Sequence, residues 1–576
     1  MKTKLLTLMA FVAIGILQAN ACTNFLVGKK ASTDGSTIIS YSADSYWLYG
    51  ALYHYPAAKY PAGTKLKVNE WDTGKYLGEI DQVTETYNVI GNMNEWQVTI
   101  GETTYGGREE LMDSTGIMDY GSLIYISLQR SKTAREALYN MVTLVAQYGY
   151  CSEGESFSIG DPNEIWILEM IGKGPGRKGA VWVARRIPDD CVSGHANQAR
   201  ITTFPLESKK DKTTISSKNL KRIFEPQITT IYSEDVIKLA REKKYFDGKD
   251  EEFSFSDTYN PLDFSGVRNC EARVWQFFNR CDPKLMEKYI SYIECKTKER
   301  MPLWIKPQKQ VSVSDVKAAM RDHYEGTPWD MSKGMGTGGF RSVYRATPLF
   351  YNSADGTEYF HERPVATQQT GFTFVAQMRG WMPREIGSIL WFGVDDATCN
   401  VYLPMYSNIT RVPESLSENT ANLLKFSWKS AFWVNNWVAN MVYSRYCDLF
   451  PDVQKHQFEF EKMLDEQVSF MDNEAAKMLQ TDKRKAIAML TDFSGSMAEK
   501  ALNEWRNLGE YLMVRYVDGV VKGTDEKGNF KRMNGSDIPG EVTRPGYSPE
   551  YIENDLVKPD PKRFRTLTKE EMDKRQ

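Results

Sequence analysis

The chain has 576 residues, a formal net charge of −3 and a hydrophobic content of 41%. This near-balance of charge gives no indication of nucleic-acid binding, and beyond the N-terminus no apolar run reaches the roughly 18 residues that a membrane-spanning helix needs. The length allows a large core and roughly two to four domains.

The first 21 residues have the pattern of a secretory signal peptide. Lys2 and Lys4 precede an apolar run at 5–17, and Ala19 and Ala21 flank a small-residue cleavage site. The run is too short to remain as a membrane anchor, so the pattern predicts export to a periplasm or to the extracellular space without stable membrane insertion. Loss of the two lysines would change the formal charge from −3 to −5.

Cleavage after Ala21 would place the thiol of Cys22 beside its own free α-amine. An α-amine has an unperturbed pKa of about 7.7–8.0, which suits a general base near neutral pH. Cys22 is therefore a candidate nucleophile that carries its own base. Two other interpretations stay open at this point: a lipid-anchored cysteine, although Ala19 stands where that signal prefers Leu, and an ordinary half-cystine.

The first half of the mature chain predicts two β-blocks separated by a helix. The helix is predicted over 133–148, because Thr133 and Glu136 form a capping box and Gly149 ends the apolar periodicity. Residues 209–222 are basic and predict a solvated surface or loop. The predicted strands are 24–27, 37–39, 98–100, 164–170, 181–185 and 200–204.

The second half predicts a mixture of helices and strands. The predicted segments are helices at 270–280 and 314–324, strands at 365–378 and 388–394, and a helical region at 415–514. An aromatic stripe in that region is interpreted as core rather than as a cofactor site: Trp428, Phe432, Trp433 and Trp437. We predict one domain over 22–520, with 521–576 as a loosely packed extension of unknown role.

Several familiar motifs are absent or misplaced. Gly334, Gly336 and Gly339 match a dinucleotide fingerprint, but they precede a predicted strand at 340–344 instead of following one, so a loop is the better interpretation. The eight cysteines form no CxxC pair and the five histidines are scattered, which predicts no metal site and no cofactor. The same scatter argues against a papain-like Cys/His pair, for which His195 is the remaining candidate.

The residues after Cys22 predict a hairpin that returns to the nucleophile. A strand that starts at Cys22 reaches an Asp-Gly turn at 34–35, and a second strand leads back to Asp44. Asp44 can therefore finish close to Cys22, where a carboxylate could hold an ammonium group of the enzyme or of a substrate. The alternative is that Asp44 only caps a turn.

At this point the sequence resembles the dipeptidase A-type cysteine peptidases, which are related to secernins and to bile-salt hydrolases and penicillin V acylases. The resemblance is carried by the Cys-Thr start, the Ala-Ser-x-Asp-Gly-Ser turn at 31–36, the Asn-Glu-x-x-Val-x-Ile-x-Glu segment at 94–102 and the Ala-Asn-x-x-Arg-Ile segment at 196–201. It implies an α+β fold, namely the four-layer αββα sandwich of N-terminal-nucleophile hydrolases, with additional C-terminal helices.

The resemblance also implies roles for individual residues. Cys22, Asp44 and Asn197 would be catalytic, with Asn197 as a donor to the oxyanion. Glu102 would bind the substrate's ammonium group. Tyr41 stands where the family has Arg, so Arg268 or Arg273 would replace that positive charge. The residues expected to bind the substrate are therefore Glu102, Tyr41, Arg268 and Arg273.

Together these features predict an exported dipeptidase that acts on small peptides through a thioester at Cys22, without metal or cofactor. One alternative is an N-terminal-nucleophile amidase for N-acyl compounds. Another is a non-enzymatic surface lipoprotein anchored at Cys22. A homo-oligomer is compatible with either enzyme.

Overall fold

The computed structural model describes residues 22–563 and 565–574, so the predicted signal peptide lies outside the described residues. The strands are β1 Asn24–Val27, β2 Thr37–Asp44, β3 His54–Tyr55, β4 Ala58–Lys59, β5 Lys65–Asn69, β6 Tyr76–Asp81, β7 Glu85–Thr86, β8 Val89–Ile90, β9 Met93–Asn94, β10 Thr99–Gly106, β11 Gly154–Gly160, β12 Ile165–Gly172, β13 Ala180–Arg186, β14 Val192–His195, β15 Thr214–Ser216, β16 Thr230–Tyr232, β17 Trp304–Ile305, β18 Phe350–Asn352, β19 Glu358–Phe360, β20 Thr370–Met378, β21 Ser388–Val394, β22 Leu403–Tyr406, β23 Val521–Lys522 and β24 Val542–Thr543.

The α-helices are α1 Tyr120–Leu128, α2 Ala134–Tyr148, α3 Val236–Glu242, α4 Phe255–Tyr259, α5 Ala272–Cys281, α6 Pro283–Met286, α7 Ile290–Ile293, α8 Val313–Met320, α9 Ala431–Ser444, α10 Tyr446–Leu479, α11 Lys483–Tyr516, α12 Pro549–Tyr551 and α13 Lys569–Asp573. A π-helical turn at Gly266–Glu271 leads directly into α5. The described part of the chain contains no helix that is both long and apolar enough to cross a bilayer.

Two large sheets define the α+β fold. The first has seven strands in the order β17-β14-β1-β2-β20-β21-β22, and the second has nine in the order β15-β16-β13-β12-β11-β10-β9-β8-β3. Across the two sheets, β1 contacts β10, and β2 contacts β10 and β11. Every residue of β1 and β2 is buried, as expected for strands covered on both faces.

Helices pack on the sheets on both sides. α5 contacts β14, α8 contacts β2 and β20, and α9–α11 contact β21 and the edge strand β22. α1 and α2 contact β10–β13 of the other sheet. α10 and α11 have 34 residues each and pack against each other. The extension after residue 520 contributes the β23–β24 pair and places Tyr547 against Phe340, with ring centroids 5.8 Å apart.

Several predicted elements are confirmed. β1 and β21 have the predicted bounds, and the other confirmed strands begin or end within a few residues of their predicted ends. In the predicted helix 133–148, Thr133 accepts a hydrogen bond from the backbone N–H of Glu136, and Gly149 ends the helix with φ +83°. Glycine adopts a positive φ at little cost, so Gly149 ends this helix as predicted.

Two strand predictions are wrong, and each has a local cause. Residues 200–204 form no strand, because the backbone N–H groups of Arg200 and Ile201 donate to the Glu169 carboxylate instead of to a neighbouring strand. Residues 340–344 form no strand either: a short 3₁₀ helix ends at Phe340, and Arg341 has φ +53°.

Two helix and loop predictions need correction. The region predicted as helical from 415 is mainly turns until α9. Ser430 caps the N-terminus of α9, where its side chain accepts a hydrogen bond from the backbone N–H of Trp433. The predicted loop 209–222 contains β15, which pairs in parallel with β16, and most of a 3₁₀ helix at Ser217–Phe224. The aromatic stripe is only partly core, since Phe432 is buried and Trp428 is 46% exposed.

Candidate active site

Cys22 lies at the entrance to β1, where two sheets meet. Its neighbour Thr23 exchanges backbone hydrogen bonds with Ser42 of β2, which fixes the start of the strand. The Cys22 Sγ atom is 3.7 Å from Tyr41 Oη and 3.6 Å from Glu102 Oε1. The side chain is 6% exposed. The two flanking strands of different sheets thus bring polar groups to the sulfur.

Tyr41 and Glu102 form a hydrogen-bonded pair beside this sulfur. The Tyr41 hydroxyl donates to Glu102 Oε1, while Glu102 Oε2 is buried without a hydrogen-bond partner in the described structure. Burial raises the pKa of Glu102 to about 7, although the Tyr41 hydrogen bond opposes that change. Glu102 is therefore poised to gain or lose its charge near neutral pH.

Burial also raises the pKa of the Cys22 thiol well above its ordinary value. The negative charges of Glu102 and Asp44 act in the same direction, and a hydrogen bond from the Asp44 backbone N–H acts against them. The thiol is consequently protonated at neutral pH in the free protein. A nucleophilic attack by this sulfur needs a base that takes the proton during the reaction.

Asp44 ends β2 next to the nucleophile, but its carboxylate is already engaged. Oδ2 accepts from Arg363 at 2.5 Å and from Ser42 at 3.1 Å, and Oδ1 accepts from Thr370 at 2.6 Å. Both members of the Asp44–Arg363 ion pair are buried. Asp44 thus anchors the segment around residue 363 to the end of β2, and its role as the acidic partner in catalysis stays a prediction.

Arg273 connects the nucleophile to Asn197. Its Nη1 donates to Cys22 O and to Thr23 Oγ1, both at 2.7 Å, and its Nη2 donates to Ala196 O and to Asn197 Oδ1, both at 3.0 Å. Arg273 is almost completely buried at the start of α5. Its planar guanidinium fixes four acceptors at once, which a lysine side chain does not do.

Asn197 is oriented from two sides. Its Oδ1 accepts from Arg273, and its Nδ2 donates to Thr104 O at 2.6 Å. The residue has φ +63°, a left-handed conformation in which asparagine is enriched. The amide therefore has a fixed orientation close to the carbonyl end of Cys22, and its assignment as an oxyanion donor stays a prediction.

Arg268 belongs to different surroundings from Arg273. It forms an ion pair with Glu362 at 3.1 Å and stacks its guanidinium over the rings of Trp329 and Phe360, at 5.0 Å from each centroid. Of the two arginines proposed to replace the family's arginine at position 41, Arg273 is the one that bonds to Cys22.

His195 has a structural environment in β14. Its Nδ1 bonds to Thr103 Oγ1 at 2.7 Å and its Nε2 to Ser158 Oγ at 2.6 Å, so both ring nitrogens are occupied. Burial lowers the pKa of His195 to about 3, which keeps the ring neutral. The described residues also contain no group of three or more His, Cys, Asp or Glu that could hold a metal ion, and all eight cysteines are unpaired.

Two residues of this site are not among those predicted from the sequence. Arg363 lies 319 residues from Asp44 along the chain, and Glu155 lies on β11 beside Glu102. The sequence carries no signal for either residue: Arg363 directly follows His361 and Glu362, and Glu155 lies outside the predicted strands.

Sequence comparisons identify the family to which this chain belongs. Residues 21–459 match the model of peptidase family C69, so the chain belongs to this family of peptidases. It is 25% identical to dipeptidase A of Lactobacillus helveticus over 540 residues, covering 87% of this chain and 99% of that protein. It is 24% identical to a dipeptidase of Bifidobacterium longum, covering 81% and 85%, and 25% identical to a probable dipeptidase of Salmonella dublin, covering 69% and 84%.

Proposed function

We propose that this protein is an exported cysteine dipeptidase in which Cys22 becomes the N-terminal nucleophile after removal of residues 1–21. The observation that carries the proposal is the position of Cys22: its sulfur lies between Tyr41 and Glu102, and its carbonyl oxygen is held by Arg273. Membership of a peptidase family and the dipeptidase names of relatives that match most of the chain support the substrate class.

The proposed reaction begins with a protonated thiol. As the Cys22 sulfur attacks the peptide carbonyl, its α-amine takes the thiol proton and a tetrahedral intermediate forms. Collapse of the intermediate breaks the C–N bond, the same amine returns the proton to the leaving nitrogen, and a thioester remains on Cys22. The amine then activates a water molecule, which hydrolyses the thioester and restores the thiol.

The surrounding residues have distinct roles in this proposal. The Asn197 amide and a backbone N–H stabilise the oxyanion, a contribution whose loss typically costs about 10²–10³ in rate. Arg273 keeps Cys22 and Asn197 in a fixed relative position through the four hydrogen bonds of its Nη1 and Nη2 atoms. Glu102 supplies the negative charge that attracts the α-ammonium group of a dipeptide.

We also propose that the two sheets and their covering helices form the four-layer αββα sandwich of N-terminal-nucleophile hydrolases. The contacts of β1 and β2 with β10 and β11, and of helices with both sheets, support this layer order. In such a sandwich the nucleophile at the head of a central strand faces the second sheet. Glu102 of β10 would then belong to the same site by virtue of the layer packing.

The first experiment determines the mature N-terminus. The protein is purified from an exporting host, and its intact mass and N-terminal sequence are measured. A chain that begins at Cys22 with an unmodified amine supports the proposal. A retained leader, an upstream start or a lipid on Cys22 removes the base and contradicts it.

The second experiment compares substrates and cysteine variants. We expect hydrolysis of free dipeptides, little hydrolysis of their N-acetylated forms, and complete loss of activity in Cys22→Ser. The matched control is Cys191→Ser, which changes another buried cysteine and should keep the activity. An acyl adduct on Cys22 in quenched wild-type reactions would identify the thioester. Preference for N-acylated substrates would instead indicate an amidase.

A further inference from the structure

Glu102 and Glu155 are buried acids on neighbouring strands, and each has one carboxyl oxygen that no described donor satisfies. Glu155 of β11 lies opposite Thr104 of β10, two residues from Glu102 and therefore on the same face. Thr104 donates to Glu155 Oε1 at 2.6 Å, and Tyr41 donates to Glu102 Oε1. The Oε2 atoms of both glutamates are buried without a hydrogen-bond partner in the described residues.

The two carboxyl groups interact directly with each other. Among the described residues, the titratable side chains that act on the two acids are neutral or acidic: Cys22, Tyr41, Asp72, Tyr105, Tyr120, Tyr150 and Glu153. Two adjacent carboxylates cannot both ionise in such surroundings without a large repulsion. Burial and the neighbouring Glu102 raise the pKa of Glu155 well above its ordinary value, and Glu155 lacks the hydrogen bond from Tyr41 that stabilises the charged form of Glu102.

We infer that Glu155 is a positioning residue that holds one proton against Glu102, so that the two acids together carry a single negative charge beside Cys22. In this arrangement the Glu155 carboxyl group donates from its Oε2 to Glu102 Oε2, which satisfies both orphaned atoms. Glu102 Oε2 then accepts from Glu155, while Oε1 accepts from the Tyr41 hydroxyl and from the Cys22 thiol. Donors at both oxygens hold the Glu102 carboxylate in one orientation.

The inference rests on the proposed dipeptidase function for its consequence, because the single charge would face the α-ammonium group of the substrate. One ammonium group is neutralised by one carboxylate. A doubly charged pair would repel the developing thiolate of Cys22, and a fully protonated pair would attract no ammonium group. Glu155 thus sets the charge of the ammonium site without touching the substrate.

The shared proton is tested first by infrared spectroscopy of the full-length mature protein, a readout that needs no substrate. At neutral pH we expect a C=O stretching band of a protonated carboxyl group that is present in the wild type and lost in Glu155→Gln. The glutamine amide still donates to Glu102 but carries no carboxyl proton. A wild-type-minus-E155Q difference spectrum without this band would overturn the inference.

The second test follows the acidic limb of the pH profile of kcat/KM for a dipeptide. Glu155→Gln keeps a donor, so its limb should stay close to that of the wild type. Leucine at 155 cannot donate a hydrogen bond, so Glu155→Leu makes the ionised form of Glu102 less stable relative to the protonated form. Its kcat/KM on the acidic limb should fall by roughly tenfold to hundredfold, the effect of losing a hydrogen bond to a charged group. The loss should appear mainly in KM.

Each result then has a separate meaning. An unmoved acidic limb in a folded Glu155→Leu variant contradicts the positioning role. If Glu155→Leu does not fold, the infrared comparison with Glu155→Gln still decides the question. If the wild type cleaves no dipeptide, the proposed function fails, whereas the infrared band alone confirms or refutes the shared proton.

Discussion

Replacing Glu102 by Gln should make the Cys22 thiol more reactive towards an alkylating agent. The amide keeps the shape of the side chain and can still accept from Tyr41, but it removes a negative charge 3.6 Å from the sulfur. At that distance Coulomb's law gives about 1.2 kcal/mol in water and about 4.6 kcal/mol at an effective dielectric constant of 20. These energies correspond to an increase of about sevenfold to roughly 2,500-fold in the thiolate fraction at a fixed pH.

The observable rate should rise less than the thiolate fraction, because a less basic thiolate is also a weaker nucleophile. With a Brønsted coefficient of about 0.4–0.5, the alkylation rate at pH 8 should increase by about threefold at the lower energy and by about fiftyfold to hundredfold at the higher energy. The assay is iodoacetamide labelling, quantified by mass spectrometry of the peptide that contains Cys22, so that the other seven cysteines do not interfere.

The pH dependence makes the expectation sharper. Since the pKa of Glu102 is about 7, this residue is largely neutral in the wild type below pH 6, and the two proteins should then react at similar rates. Glu109→Gln, which changes an exposed glutamate, is the matched control and should match the wild type throughout. Equal rates at pH 8 in a folded Glu102→Gln variant, or a difference that persists at pH 5, would refute the electrostatic reasoning.

Three further predictions concern the groups around the nucleophile. Arg363→Met leaves the buried Asp44 carboxylate unpaired and should lower the free energy of unfolding in urea by about 3–5 kcal/mol, most of which Asp44→Asn should restore in the double variant. Arg273→Met should lower kcat at least about tenfold, since it loosens two hydrogen-bonded contacts at the reacting end of the site, whereas Arg268→Met should change kcat less. Because the pKa of His195 falls to about 3 in the folded state, the unfolded chain binds the extra proton between about pH 6.5 and pH 3, so stability decreases as the pH falls through this range by up to about 1.4 kcal/mol per pH unit. His195→Gln should flatten that slope in urea titrations at several pH values, and an unchanged slope would contradict it.

The local features of the site were predictable from the sequence because they depend on neighbours in the chain. One short hairpin contains the strand that begins after Cys22, the turn and the strand that returns to Asp44. β1 has the predicted bounds and pairs antiparallel with β2. The position of Asp44 near the sulfur follows from the antiparallel pairing of β1 and β2. A hairpin needs no information from the rest of the chain.

The charge balance of the site was not predictable, because it depends on pairs that are distant in sequence. Asp44 looked available for an ammonium group, yet Arg363 of a remote segment already neutralises it. Glu102 looked like a single carboxylate, yet the register of β10 and β11 places Glu155 against it. Registers between strands about 50 residues apart are set by the whole hydrophobic pattern of the sheet, and the sequence alone does not specify which acids become partners.

The active site depends on how closely the two sheets approach, and one small residue controls this distance. A Cβ atom on Gly101 would lie 2.2 Å from Asn24 Oδ1, and the Asn24 amide donates to Glu102 O at 2.6 Å across the same gap. This bond ties the strand of the nucleophile directly to the strand of the acid. A side chain at 101 would push Glu102 away from Cys22. Most of the two hydrophobic clusters, including the residues contributed by the helices, would remain packed. The geometry of the site is therefore more sensitive to the spacing of the sheets than the stability of the fold is, because the reacting groups are divided between the two sheets.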